Sequence, residues 1–536
     1  MTNRMFKAGV SRDQPSFLPP CLEDYVGRDN AVRAIDAYVD ALDLEGLGFR
    51  HPGSEGGAGQ PPYDPGDLLK LYLYGYLHRV RSSRGLAREA QRNVELMWLI
   101  KRLAPGYRTI AGFRKDNWAA LKAANRDFVV LARELGLVGD ELVAIDGAFF
   151  DGNASKASIR TRRRLAERLA EIEREIEAYG AALDANDAAE AKPSRGGANG
   201  DGDGDVAGKV AALMAKRANV QASLEELDAS GETQLSRTDP DARLLTKSGQ
   251  VVAGYNVQIA VDDAHKLIVA SEVVNDGNDT GQLYKMAKAA KEALGAETLE
   301  ALADVGYYNG AALKDCEDDG IVAYVPQAVR TGRLAAQGRF CHDDFAYDVA
   351  ADVYRCPGGA QLAPTPGRKR NSGGRIEIRY VSRKAVCDAC PLRQRCVTDK
   401  QPTRTVHRWE HEDVLDRHRE RMKDAGRLMR RRAGLAEHPF GTLKCRAGYR
   451  HFLVRGFDKV RGEWSLMALA YNFTRILAIV GLDGFLAHLA KRIANCVVLL
   501  AVVVTALACA IALHHAICRK ITLISAFGGP SSVVQA

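Results

Sequence analysis

The spacing of hydrophobic residues changes along the chain, and each spacing predicts a different architecture. Within residues 17–136 apolar positions recur every three or four residues, and Asp64 and Pro65 have the character of an N-cap and a first helical turn. Residues 141–326 instead contain short apolar runs bounded by turn residues, which are typical of strands. The pattern therefore predicts an all-helical N-terminal domain, 17–136, followed by an α/β region.

Two segments with heptad spacing interrupt the α/β region. Their apolar positions alternate in steps of four and three, with one charged interruption at Arg217: Leu165, Leu169, Ile172, Ile176 and Tyr179, then Val206, Val210, Leu213, Val220, Leu224 and Leu227. A polar, glycine-rich stretch at 192–205 separates them. We therefore expect the insertion, 157–230, to project as an antiparallel helical hairpin.

The remaining signals predict a mixed α/β core in two parts. The first part, 137–330, contains these elements in order: strand 141–148, a hairpin of strands 251–262 and 265–274, helix 281–294, and apolar runs 298–308 and 320–326. The second part, 406–480, is helical and strongly basic. Residues 331–405 are rich in glycine, arginine and cysteine with weak periodicity, which predicts a small insertion between the two parts. Residues 481–536 form a hydrophobic tail.

Composition narrows the class of protein only slightly. The chain has 536 residues, which is enough for several hydrophobic cores. Its formal charge is only +8, so a polyanionic partner would have to be recognised by clustered basic residues. Eleven cysteines without dense, even spacing favour a reduced compartment. We see no export signal at the N-terminus.

Three carboxylates occupy positions that suit a metal site. Asp146 and Asp304 each end an apolar run, and Glu437 lies in the most basic part of the chain. Because strand ends gather at one edge of an α/β sheet, a helix can bring a third carboxylate there. Three converging carboxylates repel one another unless cations lie between them, and carboxylate oxygens are ligands that suit Mg²⁺ and Mn²⁺. Two such ions about 4 Å apart can support phosphoryl transfer. Capping or surface roles for each residue are the alternative.

Basic and sulfur-containing residues complete the candidate chemistry. The glutamate is surrounded by cations that would hold a polyphosphate substrate: Arg430, Arg431, Lys444, Arg446 and Arg450. In the helical N-terminal domain, interleaved arginines at 79–92 suit contact with DNA or a solvated face. Four cysteines, Cys356, Cys387, Cys390 and Cys396, could form a four-thiolate zinc site or remain reduced thiols.

Several stretches together resemble bacterial insertion-sequence transposases of the DDE type. The stretches that carry the likeness are "YDPGDLLKLYLYGYLHRVRSSRGLAREAQRNVELMWL", "AIDGAFFDGNASK", "RTDPDARLLTKSGQVVAGYNVQIAVD", "ADVGYYNG" and "EHPFGTLKCRAGYRHFLVRGFDKVRGEWSLMALAYNFTRI". The resemblance covers roughly residues 17–480 and implies a ribonuclease H-like mixed-sheet core. The same likeness extends to the cysteine-rich insertion, which is similar to a zinc ribbon.

The resemblance assigns roles to individual residues. It implies that Asp146, Asp304 and Glu437 bind the catalytic metal ions and that Lys444 contacts a DNA phosphate. The tyrosine and arginine that often stand seven and four positions before the glutamate are replaced by Arg430 and Ala433. Asn256, Asp239 and Asp241 lie in matching motifs, and for them we expect hydrogen-bonding roles at turns and strand ends.

The function implied is a DNA transposase that binds terminal inverted repeats and catalyses metal-dependent cleavage and strand transfer. Its partners would be double-stranded terminal-repeat and target DNA, together with a second copy of the chain in a synaptic complex, for which the hairpin is a candidate contact. A catalytically inactive DNA-binding derivative is the alternative. We expect a cytoplasmic, nucleoid-associated protein. The uncharged run 496–513 is long enough to be a membrane anchor, and a buried helix or an incidental extension are the alternatives.

Overall fold

The computed structural model describes residues 21–50, 61–139, 141–190, 206–247, 249–327, 336–370, 374–398 and 401–527. Beyond residue 495, side chains are described only at positions 510 and 511. The chain divides into two compact units, one formed by 1–125 with 465–536 and the other by 126–464. The predicted hairpin turn at 192–205 and the start of the N-terminal domain, 17–20, lie outside the described residues.

The first unit begins with short helices, as the hydrophobic spacing predicts. They are α1 (Val32–Asp40), α2 (Pro65–Leu77), α3 (Ser83–Glu89), α4 (Val94–Leu99), α5 (Tyr107–Asp116) and α6 (Trp118–Glu134), the last of which crosses the boundary between the units. Asp64 caps α2 by accepting from the Gly66 N–H at 2.6 Å, and Ser82 caps α3 by accepting from Gly85 at 3.1 Å. Buried Lys70 lies 2.6 Å from both Asp36 and Asp40, so α1 and α2 are joined by a paired charge inside an apolar contact.

The second unit is mixed α/β. In chain order it contains β1 (Leu142–Asp151), β2 (Ile159–Thr161), α7 (Arg162–Glu190), α8 (Val206–Ser230), β3 (Gln234–Ser236), β4 (Arg243–Lys247), β5 (Gln250–Asp262), β6 (Ile268–Val274), α9 (Leu283–Leu294), β7 (Leu299–Leu302), α10 (Gly310–Asp318) and β8 (Ile321–Tyr324). The principal sheet has the order β4-β5-β1-β7-β8, and β6 pairs with β5 beyond β4. β5 runs antiparallel to β1, whereas β7 and β8 run parallel to it. Strand β4 was absent from the sequence prediction.

Two long helices occupy the segment predicted to form a helical hairpin. Helices α7 and α8 pack through the heptad positions, including Leu165, Ile172, Leu213, Val220 and Leu227, all of which are buried. Strands β2 and β3 pair antiparallel at the base of the two helices and close the insertion. The apolar seam stabilises both helices because neither could bury its stripe alone.

The cysteine-rich insertion is more ordered than its sequence suggests. It forms a second sheet of five antiparallel strands, β9 (Ala346–Asp348), β10 (Val353–Arg355), β11 (Gln361–Arg370), β12 (Ile376–Val381) and β13 (Thr405–Trp409), with short helices α11 (Lys384–Asp388) and α12 (Arg393–Cys396). The sheet ends at Trp409, so the predicted boundary at residue 405 falls inside β13. In β11 most side chains are exposed, and this exposure hides the alternation that predicts a strand.

The final helices are α13 (Glu412–Lys423), α14 (Gly426–Gly441) and α15 (Phe457–Phe527), and α15 is interrupted at Gly481, where φ is 72°. We expected the last helix, to residue 480, to belong to the α/β core, but from Ser465 onward it belongs to the unit of the N-terminal helices. There Phe473 packs 6.0 Å from Tyr38 and 5.5 Å from Phe485 between ring centroids.

Among the described residues, the segment Phe457–Asn495 is long and apolar enough to cross a membrane by composition. About 56% of its most apolar window is buried within the protein, so a core helix explains the same composition. The candidate anchor at 496–513 falls almost entirely on side chains outside the described ones. The apolar composition of this helix therefore gives only weak support for a membrane anchor.

Candidate active site

Asp146 and Asp304 lie at neighbouring positions in the principal sheet. The parallel register of β1 and β7 pairs Val143 with Ala301 and Ala144 with Leu302, and continuing it by two residues sets Asp146 opposite Asp304. Neighbouring strands are about 4.8 Å apart. Asp146 Oδ1 accepts from the Gly147 N–H, and Asp304 Oδ1 accepts from the Gly306 N–H, each at 2.8 Å. We call this end of the two strands the carboxylate edge.

Helix α14 packs along the same face of β1 that carries Asp146. Side chains alternate across a strand, and Ala144, which shares a face with Asp146, forms a small buried cluster with Leu435 and Ala436. Further along, the rings of Phe440 and Phe150 are 6.1 Å apart. Glu437 follows Ala436 directly, so the helix carries it past the part of β1 that contains Ala144.

Glu437 does not join the two aspartates in this conformation. Its side chain is exposed, whereas Asp146 and Asp304 are half-buried. Among the described residues, no three His, Cys, Asp or Glu side chains stand close enough together to hold a metal ion. The structure therefore brings two predicted carboxylates together and places the helix of the third beside them, with its side chain in solvent.

A fourth carboxylate, Asp279, lies behind the carboxylate edge and was missed by the sequence analysis. It is buried, and its Oδ1 accepts from Asn256 Nδ2 at 2.8 Å and from Gln258 Nε2 at 2.7 Å. Asn256 and Gln258 are both fully buried and share one face of β5. Two amide side chains on one face of an otherwise apolar strand were the available signal, because buried amides need polar partners.

Gly147 permits this close packing next to Asp146. A Cβ added at Gly147 would lie 2.3 Å from Gln258 Nε2, 2.8 Å from Asp279 Oδ1 and 3.0 Å from the Tyr307 hydroxyl. Such distances are far below normal contact, so a side chain at this position would displace the polar network. In the first motif a glycine follows Asp146 because Asp279 and Tyr307 occupy the space that a side chain at position 147 would need.

The pKa of Tyr307 depends on several charged groups of the site. Its hydroxyl donates to Gln258 Oε1, and its ring is buried in the apolar core beside α9. Burial raises the pKa of Tyr307 well above its usual value, and the nearby Asp279, Asp146 and Asp304 raise it further. Arg432 on α14 acts in the opposite direction. One buried hydroxyl is therefore within electrostatic reach of three carboxylates and one guanidinium.

The four predicted cysteines line one cavity of about 220 Å³, which we call the cysteine cavity. Cys356 Sγ accepts from the Ala360 N–H at 3.3 Å, and Cys387 Sγ lies 2.9 Å from Ser382 Oγ. A Cβ at Gly358 would contact Cys390 Sγ at 3.1 Å and Cys356 Sγ at 3.7 Å.

The sulfurs of the cysteine cavity also influence one another. Burial raises the pKa of Cys396, and the other three thiols raise it further, while Arg404 opposes them. Among the residues that the structure describes, no three of these thiols stand close enough together to hold a metal ion, so they line the cavity without forming a metal site in this conformation.

Models of two known protein families match separate parts of the chain. A family model described as a transposase DDE domain matches residues 355–477, and one described as a transposase domain (DUF772) matches residues 20–116. Both models describe transposases, and together they support an insertion-sequence DDE transposase. No curated protein and no solved structure matches it significantly. The DDE match contains Glu437 and all four cavity cysteines, and Asp146 and Asp304 precede it.

The five basic residues predicted near Glu437 fall into two groups. Lys444 is bound to β1: its Nζ donates to the Phe149 carbonyl at 2.7 Å and lies 4.4 Å from the centroid of the Phe150 ring. Arg431 pairs with Asp263, and Arg450 Nε donates to the Lys444 carbonyl at 3.2 Å.

Arg430 and Arg446 form the second group. Both are exposed, and within the described residues neither has a carboxylate partner. These two side chains are consequently the most available of the five for contact with an anion.

Three further residues have the hydrogen-bonding roles expected of them. Asn256 holds Asp279, as described above. Asp239 accepts from the Tyr255 hydroxyl at 2.7 Å and from the Gly456 N–H at 3.0 Å, and Asp241 accepts from the Phe457 N–H at 2.8 Å. These contacts join the strand pair to the start of α15.

The arginines near α3 are mostly available to solvent. Four are exposed, Arg79, Arg84, Arg88 and Arg92, whereas Arg81 is buried and does not belong to a solvated face. Arg92 is paired with Glu89. The exposed cations lie on one helical unit.

Proposed function

We propose that the chain is an active DNA transposase in which Asp146, Asp304 and Glu437 form the catalytic triad. It would bind terminal inverted repeats and carry out divalent-metal-dependent cleavage and strand transfer. The order β6-β5-β1-β7-β8, antiparallel in its first half and parallel in its second, supports a ribonuclease H-like core for this reaction. The inserted hairpin and the five-stranded sheet would then be additions to that core.

The observation that carries the proposal is the register of β1 and β7. Asp146 and Asp304 are far apart in the chain, and this pairing, continued by two residues, would set them side by side. Each carboxylate is half-buried, and one oxygen of each accepts a backbone N–H, which restrains its orientation. Helix α14 packs on the same face of β1, and we propose that a rearrangement of Glu437 brings the third carboxylate to the aspartates.

The donor set fits a hard divalent cation. Asp146, Asp304 and Glu437 offer carboxylate oxygens, the ligands that Mg²⁺ and Mn²⁺ prefer. We propose two ions, and when bound they would supply Lewis-acid polarisation of the reacting phosphate. Asp279 would remain behind the site, where its hydrogen bonds to Asn256 and Gln258 fix the wall on which the two aspartates stand.

The surrounding cations would bind and orient DNA. Exposed Arg430 and Arg446 flank Glu437 in sequence and would contact phosphates. We propose phosphate contacts for Arg431, Lys444 and Arg450 as well, after exchange of the protein contacts that they make here. Synapsis of two transposon ends implies at least a homodimer, and the reaction would take place on DNA in the bacterial cytoplasm.

The cysteine cavity would hold a structural zinc ion. Four thiols lining one cavity match the Cys₄ set of structural zinc sites. The two-residue spacing of Cys387 and Cys390 supplies one ligand pair, and Cys356 and Cys396 would supply the other. Zinc bound there would brace the loops next to the five-stranded sheet.

A strand-transfer assay on the DNA that flanks the gene tests the proposed function. The purified chain should join labelled element ends to a target plasmid in Mg²⁺, and Asp304→Asn should abolish joining while end binding persists. Asp318→Asn is the matched control, because Asp318 is an exposed aspartate on α10 that pairs with Lys314. If Asp304→Asn still joins DNA, Asp304 does not belong to the mechanism.

The exposed Glu437 side chain favours one alternative, a catalytically inactive DNA-binding derivative. That protein would bind terminal repeats in a mobility-shift assay and produce no joined product with either Mg²⁺ or Mn²⁺. Activity that is lost on Glu437→Gln and kept on Glu420→Gln, an exposed residue of α13, would exclude this alternative.

A further inference from the structure

A cleft at the base of the helical hairpin is lined by cations. It lies between α7 and α8 beside β2 and has a volume of about 420 Å³. Its charged lining consists of Arg160, Arg164, Arg168 and Lys216, without a carboxylate among the lining residues. We call it the hairpin cleft.

The charge of α7 is segregated along its length. The segment 162–168 contains four arginines and one glutamate, and the segment 171–177 contains four glutamates and one arginine. The cations therefore gather at the base of the hairpin, where the insertion leaves β1. A surface that served only to solubilise a coiled coil would intersperse the two signs.

Three of the four cations lack an anionic partner. Arg168 pairs with Glu171 and, at 3.8 Å, with Glu175. Arg164 and Lys216 form no ion pair within the described residues, and Arg160 donates instead to the Ser223 hydroxyl at 3.2 Å. Cations held close together repel one another, and a bound anion relieves that repulsion.

Ser223 fixes one of these cations in place. Its side chain is fully buried, and its hydroxyl donates to the Asn219 carbonyl at 2.8 Å while accepting from Arg160. Arg237 donates to the same hydroxyl at 3.3 Å and pairs with Glu226 at 3.6 Å. Arg160 is thus positioned by a neutral partner that leaves its charge uncompensated.

We propose that the hairpin cleft binds the phosphodiester backbone of duplex DNA, which makes the hairpin a DNA-holding arm. This proposal rests on the proposed function, since a transposase supplies the polyanion. The cleft volume exceeds that of a single phosphate ion, and three uncompensated cations suit successive phosphates along a strand. Free inorganic phosphate shares the chemistry, and a second copy of the chain is a different occupant.

The test measures how salt weakens DNA binding by the full-length chain. A labelled duplex of arbitrary sequence is titrated in EDTA at NaCl concentrations from about 50 to 200 mM. Arg164→Gln with Lys216→Gln should lower the log–log slope of affinity against salt by about 1.8, since each phosphate contact contributes about 0.9. Both residues are exposed, so the apolar seam and the melting temperature should be unchanged.

The matched control removes the same charge from the same two helices outside the cleft. Arg163 and Arg217 are exposed and lie near Glu167 and Glu173, at 3.8 Å and 3.4 Å. Arg163→Gln with Arg217→Gln should leave the slope nearly unchanged. Equal losses in both double variants, or no loss in either, would overturn the proposal.

Two further measurements separate the other occupants. If inorganic phosphate alone raises the melting temperature of the unsubstituted chain and not of Arg164→Gln with Lys216→Gln, while duplex binding is equal, the cleft is a phosphate site and the proposal is overturned. If the double variant elutes as a smaller assembly with an unchanged salt slope, the cleft is a contact between copies, which also overturns it.

Running the strand-transfer assay in parallel keeps the two proposals distinct. Binding in EDTA needs no catalytic metal, so a chain that loses salt slope on substitution but never joins DNA supports the cleft and removes the proposed function. A chain that joins DNA but has the same salt slope with and without the double substitution supports the proposed function and overturns the proposed role of the hairpin cleft.

Discussion

The carboxylate edge and the cysteine cavity are both candidate metal sites, but they are assembled in different ways. At the carboxylate edge, strand pairing aligns Asp146 with Asp304, and the third group, Glu437, remains in solvent. In the cysteine cavity all four donors come from residues 356–396 and line one space. The edge is open and only partly assembled, which suits ions that exchange with substrate. The cavity is lined by four thiols, the ligands of structural zinc sites, which suits an ion that stays.

The largest effect should follow from the absence of exchangeable metal. Omitting Mg²⁺ should reduce joining by at least roughly 10²–10³-fold, the loss typical of removing a charge-stabilising group, and adding Mg²⁺ or Mn²⁺ should restore it at once. Zinc content measured on the same sample should not change. A preparation whose joining persists without added divalent ions would erase the distinction between the two sites.

Closing the space beside Asp146 should disturb the carboxylate edge through packing. Gly147→Ala should cost about 1–3 kcal/mol in unfolding free energy, the usual cost of overpacking, because its Cβ would overlap Gln258 and Asp279. Joining should fall with it, since Asp146 precedes the glycine. Urea unfolding provides the measurement.

Gly139→Ala is the control for that substitution. Gly139 precedes the same strand, and a Cβ there would meet its nearest atom at an ordinary 3.7 Å. The control should unfold like the unsubstituted chain. Equal stability of the two alanine variants would mean that the polar network behind the edge adapts freely.

Removing one sulfur should affect the cavity and spare the edge. Cys390→Ser should lower bound zinc from about one equivalent to near zero, because a Cys₄ site loses a ligand. Joining by residual folded protein should fall less than in Asp304→Asn. Cys445→Ser, at an exposed thiol outside the cavity, should retain the metal. Elemental analysis decides, and an unsubstituted chain without zinc would leave the cavity as a group of free thiols.

A smaller loss of folding stability should appear at acidic pH, and it should arise from a histidine that contacts the end of the principal sheet. His418 is buried, and its Nε2 accepts from the Val325 N–H at 3.4 Å, just beyond β8. Burial lowers the pKa of His418 to about 4, and Arg421 and Arg419 lower it further. Between that value and the ordinary pKa of about 6.5, the unfolded chain binds a proton that the folded chain refuses, so stability falls as pH falls.

The expected loss between pH 7 and pH 5 is about 2 kcal/mol of unfolding free energy. His418→Gln should flatten this dependence, and His407→Gln, at an exposed position, should not. Urea unfolding at the two pH values provides the comparison. If acid destabilises the His418→Gln variant as much as the unsubstituted chain, His418 is not the responsible group.

The hairpin and the second sheet show where sequence reasoning succeeds and where it fails. Heptad spacing predicted α7 and α8 because each helix buries a continuous apolar stripe against the other. The five-stranded sheet was missed because β11 is mostly exposed and contains two prolines, so it lacks alternation. Asp279 was missed because nothing near it in the chain marks it, and only the buried amides of Asn256 and Gln258 point to it.

The sequence by itself determined the helical character of the first unit, the hairpin, the strand that carries Asp146 and the family. These follow from local periodicity and short motifs, which act over a few turns of chain. Only the tertiary structure decided that Asp304 stands beside Asp146, that Asp279 and Tyr307 lie behind them, and that the helix after Ser465 belongs with the N-terminal helices. Strand register and helix packing are set by burial between residues far apart in the chain, and no local pattern encodes them.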